Sequence, residues 1–363
     1  MERRKFPKTK IRWLAALIFM VIIVKFAAND PSWVEKNYSN NMYAGFSSFL
    51  RGLFGGIPFS FGDMLYLVAI LWVAWKVIKF FILLITRRIS WLWIKNGSIK
   101  ILFISIIIYI IFNLFWGLNY NRQGIASQLN LQVKKVDTAE LKQLQYLLLQ
   151  KVNESKQMLL NFPIHYPTTR QMFTRAANCY SQAEKVYPFL HYGRSSVKSS
   201  LYGWWGNYLG FTGYYDPFTG EAQVNTTVPA FIQPYTTCHE IAHQLGYAKE
   251  EEANFVGYLA VIASNDTLFH YSAYLDLFIY TNREVYFIDS SAAKRAAMQL
   301  SPEVKKDIKE WREFLHRHKN PFEPVIQWMY GNYLRANKQP HGMSSYNEVV
   351  IDLIAYYKKF GVI

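Results

Sequence analysis

Two histidines stand four residues apart in this chain, with a glutamate directly after the first: His239-Glu240-Ile241-Ala242-His243. On a helix that spacing puts both imidazoles on one face, one turn apart, able to bind the same ion. Glu240 then falls within reach of a water on that ion, as a general base. Zn2+ suits such donors, because it lowers the pKa of a bound water toward neutrality and polarises a carbonyl. A catalytic zinc site needs a third protein ligand and an open position. The run Glu250-Glu251-Glu252-Ala253-Asn254 offers carboxylates at the start of the next expected helix. With Glu250 as ligand, Asn254 lies one turn along the same face, where it can hydrogen-bond a ligand histidine and fix its tautomer. Glu252 is the alternative third ligand, and Glu251 points away from that face. His165, His191, His270, His316 and His318 show no ligand spacing.

These residues need elements to hold them. The motif helix is expected to start near Thr236 or Thr237, either of which can cap it, and to stop at Gly246. A second helix is expected from about Lys249 to Ser264. Upstream, Asp216-Pro217-Phe218-Thr219-Gly220 reads as the turn of a β-hairpin. Asp137 is placed to cap a helix running to about Leu160, with Leu141, Leu144, Leu148 and Val152 on one stripe. Further helical patterns cover roughly 268–286, 303–316, 324–336 and 346–360. Cys179 and Cys238, the two cysteines of the chain, leave one disulfide open; Cys238 directly precedes His239, where a buried free thiol is the favoured reading.

The first third of the chain is different. Of 363 residues, 51% are hydrophobic, and they crowd into three runs at about 13–28, 64–85 and 101–117. A helix crossing a bilayer needs about 17–25 apolar residues, so these runs read as three transmembrane helices. Residues 1–119 form the membrane region on this reading, and residues 120–363 form the domain that follows. Positive charge sets the orientation. Arg3, Arg4, Lys5, Lys8, Lys10 and Arg12 precede the first run; Arg87, Arg88 and Lys95 lie between the second and third, and Lys100 opens the third. The N-terminus is therefore expected in the cytoplasm and the large domain outside it. The formal charge of +15 does not signal nucleic acid. Residues 1–119 hold 15 Lys/Arg against 4 Asp/Glu, and residues 120–363 hold 25 against 21, so the excess is a topology signal. Trp91 and Trp93 sit where an interfacial aromatic belt would place them.

The pairing of His239-Glu240-Ile241-Ala242-His243 with Lys249-Glu250-Glu251-Glu252-Ala253-Asn254 resembles the gluzincin metallopeptidases. It looks closest to membrane peptidases of the prenyl-protein and heat-shock kinds, whose second motif reads Glu-x-x-Ala-Asp. That resemblance puts the ligand on Glu250 and the supporting residue on Asn254, where Asn replaces the usual Asp. The gap between the motifs is also shorter here than in those families. The whole chain resembles an uncharacterised family of bacterial membrane proteins with three N-terminal spans and an outer zincin-like domain. The fold class implied is a multi-pass bacterial membrane protein with a mainly helical α+β zincin-like domain and a small sheet. The resemblance implies a substrate-pairing edge strand before the motif helix, for which residues 220–225 are placed. It also implies a downstream Tyr or His to stabilise an oxyanion. Tyr346 and His341 are the candidates. The flanks of the motif are too polar for a transmembrane site, so the cleft is expected in water near the outer face. The function expected is a zinc-dependent peptidase hydrolysing peptide or protein substrates outside the cytoplasm, anchored in the lipid bilayer. The alternative is a zinc-binding sensor or assembly protein of the cell envelope that uses the same fold without proteolysis.

Overall fold

A computed structural model describes residues 8–134, 136–161 and 166–363. Arg3, Arg4 and Lys5 of the basic N-terminal run, and His165, lie outside the described residues.

The N-terminal third contains three long apolar helices. α1 (Lys8–Ala27) ends at Asn29-Asp30-Pro31, where the Asp30 carboxylate accepts from the amides of Ser32 and Trp33 and starts a new turn, α2 (Pro31–Trp33). A π-helical segment (Val34–Tyr43) and α3 (Ala44–Phe54) continue it, bent 91° from α1. α4 (Phe61–Ile85) is capped by Ser60 and α5 (Trp91–Phe115) by Ser90. α4 and α5 are each long and apolar enough to cross a membrane; α1 joins them as a third if it and the bent segment make one span. α5 starts ten residues before the apolar run expected at 101. The Ser90 cap begins the helix there, so Lys95 and Lys100 lie on it and only Arg87 and Arg88 stay in the turn.

A 3-10 turn (Gly117–Asn121) and α6 (Ile125–Gln128) lead into the second part. Here α7 (Thr138–Leu160) opens on the expected Asp137 cap, which the structure extends to a capping box with Glu140, and buries Leu141, Leu144, Leu148 and Val152. It packs along α12 (Thr267–Ile288). α8 (Thr169–Val186), unexpected from the sequence, lies against the motif helix, where Tyr180 Oη donates to the Cys238 carbonyl at 2.6 Å.

The sheet has three strands: β1 (Val197–Ser199), then, after α9 (Gly203–Leu209), the hairpin of β2 (Gly213–Asp216) and β3 (Glu221–Val224). The hairpin is in the expected place, with Asp216 opposite Glu221. The strand order β1-β3-β2 overturns one expectation. β1 pairs in parallel with β3, so residues 221–224 form the central strand and cannot offer a free edge; β2 has that edge.

α10 (Gln233–Gln244) carries the histidine motif. It begins before the expected threonines, at Gln233 with Pro234 in its first turn. Thr236 and Thr237 do not cap it, because their hydroxyls bond back to the carbonyls of Ile232 and Gln233. It stops as expected at Gly246, whose φ of +88° suits glycine. α11 (Glu250–Ile262) packs alongside. The rest is α13 (Ser290–Met298), α14 (Pro302–Arg317), α15 (Glu323–Ala336), a 3-10 segment (Gly342–Glu348) and α16 (Val349–Phe360). Cys179 and Cys238 are free and buried.

Contacts between the two parts are extensive. Tyr43 Oη donates to the carbonyls of His243 and Gln244, and Ser47 Oγ and Arg51 also donate to Gln244. The buried pair Arg122–Glu35 (2.6 Å) ties the π-helical segment to the end of the motif helix, since Arg122 also donates to the Gly246 carbonyl at 3.0 Å. The residues between α1 and α4 therefore brace α10 directly.

Candidate metal centre

α10 and α11 bring three side chains to one point. His239 Nε2 lies 3.2 Å and His243 Nε2 lies 3.5 Å from the same Glu250 oxygen, Oε2. All three ligand atoms fall within 4.8 Å of one another, the single such cluster among the described residues. The ligands of a tetrahedral zinc with bonds of about 2.0–2.1 Å stand roughly 3.3 Å apart, so these spacings fit one ion.

The other ring nitrogens are committed elsewhere. His243 Nδ1 is 2.7 Å from the Tyr247 carbonyl, which can only accept, so Nδ1 carries a proton and Nε2 holds the lone pair in the neutral ring, the form that binds a metal. His239 Nδ1 is 2.7 Å from Asn254 Oδ1, while Asn254 Nδ2 donates to the Tyr346 carbonyl at 3.3 Å, which orients the amide. Asn254 thus makes the contact its spacing from Glu250 suggested.

Glu240 is buried, and its Oε2 has no hydrogen-bond partner; the same holds for Glu250 Oε2. Buried polar atoms in folded proteins are almost always paired, so an orphaned Glu250 oxygen facing two imidazoles suits a cation. Electrostatics agree. Burial pushes the Glu240 carboxyl up to about 7. Burial alone would lower His243, but the Glu250 carboxylate 3.5 Å from its Nε2 raises it to about 9. Burial opposes the charge on Glu250, yet the two imidazoles facing its Oε2 hold it well below the usual carboxylate range. Gly213 of β2 runs directly over Glu240; a Cβ there would come within 2.5 Å of Glu240 Oε1, so only glycine allows the strand this close.

Residues 38–354 match a family described as "Protein of unknown function (DUF3810)". The chain belongs to that family. No curated protein and no solved structure matches it. The family match takes in the bracing segment, α4 and α5 as well as the metal cluster.

The remaining sequence candidates divide. Tyr346 is at the centre, its ring stacked 6.3 Å from that of His239 and its hydroxyl 3.1 Å from that of Tyr330. His341 is not: its ring is exposed and pairs with Glu348. Glu252 is turned from the cluster toward Lys249 at 3.1 Å, because successive carboxylates on α11 point about 100° apart and Glu250 already faces the histidines. Glu251 lies on yet another face, and burial beside Glu252 raises it to about 8.

Sequence reasoning missed two partners of the cluster. Tyr330 of α15 donates to Glu250 Oε1 at 3.0 Å, and Trp116, just past α5, packs edge-on to His243 with ring centres 5.9 Å apart. Neither has a spacing signal, because each reaches the motif from a distant element.

Proposed function

We propose that this protein is a membrane-anchored zinc metallopeptidase of the gluzincin type, with a zincin-like domain outside the cytoplasm. The observation that carries this reading is the convergence of His239, His243 and Glu250 beside a buried, unpartnered Glu240 carboxylate. Zinc held by those three ligands would supply a Lewis acid that polarises a carbonyl and acidifies water. The chain's own groups take the remaining roles. Glu240, buried beside the ligands with an unpartnered Oε2, accepts a proton from the attacking water and returns it to the leaving amine. Asn254 and the Tyr247 carbonyl hold the histidine tautomers. Tyr346 and Tyr330 are the hydroxyls nearest the ligands and the candidates to donate to a developing oxyanion. The free edge of β2, passing over Glu240, suits an extended peptide pairing as an added strand.

Support for the topology is that Ala27, Phe61 and Phe115, the ends of the three apolar helices, all lie at the same side as the metal cluster. Val24, Tyr38, Tyr43 and Trp116 share a core with Ala248 there, and Gly62 donates to Glu221. With Arg87 and Arg88 at the opposite end, the positive-inside rule puts the cluster outside.

The test is metal content and turnover of the purified full chain in detergent. One zinc per chain is expected, with cleavage of a mixed peptide library followed by mass spectrometry. Glu240→Gln should keep the zinc and lose cleavage. Full zinc content with no cleavage of any peptide or membrane-protein fragment would favour the sensor or assembly reading instead.

A further inference from the structure

Two helices beside the metal cluster carry an apolar face that no described residue covers. α9 has no charged residue and leaves Trp204 and Trp205 open, the latter 61% exposed. On α15, Val325, Trp328 and Met329 stand outward at helical spacing, Trp328 at 66%, and the buried residues of that helix are Gly331 and Leu334 alone. A helix in water normally turns its apolar stripe to a core, and a contiguous exposed patch of this kind marks an interaction surface.

Both helices are tied to the ends of membrane-spanning candidates. At the start of α9, the Leu201 amide donates to Asp63 Oδ2 at 2.7 Å and Tyr202 Oη to the Asp63 carbonyl at 2.8 Å; Asp63 is in the first turn of α4. Tyr333 of α15 pairs through its hydroxyl with Tyr120, just beyond α5, at 3.2 Å. Asn320, ahead of α15, donates to the Tyr208 carbonyl of α9 at 2.7 Å and joins the two. A rim thus runs from the root of α4 to the root of α5. Its open residues are the kinds that favour the headgroup region, where an aromatic ring meets both lipid and water. The charges of α15, Glu323 and Arg335, stand at its two ends.

We propose that α9 and α15 lie in the headgroup interface of the leaflet from which α4 and α5 emerge. A helix so placed buries its apolar face several ångströms deep while its polar face stays wet. The metal cleft then opens at the bilayer surface, because α15 supplies Tyr330 to Glu250 and α9 leads straight into the strand over Glu240. Continuity with the spans favours lipid over a protein partner as the occupant.

The test uses the full chain in vesicles of phosphatidylethanolamine and phosphatidylglycerol, with a nitroxide attached at Trp205→Cys or Trp328→Cys. Lys294→Cys is the control, exposed on α13, which packs against α12 and α7. The ratio of relaxation by dissolved oxygen to relaxation by a water-soluble nickel chelate should be about threefold or more higher at 205 and 328 than at 294, because lipid excludes the chelate. Equal ratios at the three positions overturn the proposal. Shielding from both reagents overturns it too and points to a second copy or another protein. Headgroup-depth brominated lipid should also quench the unlabelled chain more than a Trp205→Phe/Trp328→Phe chain; equal quenching counts against the proposal. Neither measurement needs metal or turnover, so a failure here leaves the peptidase reading standing, and a failure of that reading leaves this one.

Discussion

Glu221 and Glu250 are both buried glutamates beside helix N-termini, and they have opposite surroundings. The Glu221 carboxylate receives the amides of Phe61 (3.1 Å) and Gly62 (2.6 Å) at the start of α4, and the hydroxyls of Ser60 and Thr219. Both oxygens there have a donor, and the charge faces the positive end of a helix. Glu250 opens α11, but its Oε2 faces only two imidazole nitrogens whose protons are engaged elsewhere. A saturated carboxylate joins two parts of a fold. One that converges with two imidazole nitrogens has the arrangement that could hold a cation.

The largest expected effects fall on the Glu250 side. Glu240→Gln should lower peptide hydrolysis by about 10²–10⁴-fold, the range for losing a general base, with metal retained. Glu250→Ala should lose both metal and hydrolysis, whereas Glu221→Gln should keep full metal content. Elemental analysis and turnover on the same preparations separate these cases. If Glu221→Gln lost zinc and Glu250→Ala kept it, the contrast between the two sites would collapse.

On the other side, Glu221→Ala strips two amide donors of their acceptor. It should cost about 2–3 kcal/mol of stability, read as a lower melting temperature, with metal stoichiometry unchanged in the folded fraction. A smaller expected change concerns the residue behind His239. Asn254→Ala should weaken zinc binding about 10–100-fold in a competition titration. Glu252→Ala should not weaken it, given its pairing with Lys249.

A third buried carboxylate sharpens the contrast through pH. Burial, with Glu252 nearby, raises Asp352 on α16 from an ordinary 3.8 to about 7. The folded chain therefore holds this proton where the unfolded chain has released it. Stability from this group is full below about pH 4 and falls as pH rises toward 7. Asp352→Asn should flatten that slope in melts between pH 5 and 7, the smallest of these effects. An unchanged slope would show that Asp352 ionises freely in the folded chain.

Much of this was legible in the chain itself, for local reasons. The i, i+4 histidines, the step from Glu250 to Asn254, the Asp137 cap, the hairpin turn at Asp216–Gly220 and the stop at Gly246 all follow from the backbone geometry of a few consecutive residues. Helix starts were less legible. Ser90 outweighed the polar residues that seemed to delay α5, and Pro234 began α10 before the threonines. The Thr169–Val186 helix was missed although Met172, Ala176, Cys179, Tyr180 and Ala183 recur on one face, because that stripe is narrow and mixes alanine with polar-tipped side chains.

The pentapeptide, its helix and the apolar runs were thus determined by the sequence alone, since helical period and hydropathy are properties of neighbouring residues. Tertiary structure decided what no local rule carries. It turned Glu250 rather than Glu252 to the histidines, and it paired His341 with Glu348 while leaving Tyr346 beside His239. It placed β3 in the middle of the sheet, and it brought Tyr330 and Trp116 to the cluster from elements tens of residues or more away. Those outcomes depend on which faces meet when helices pack, and that is settled by the whole core at once.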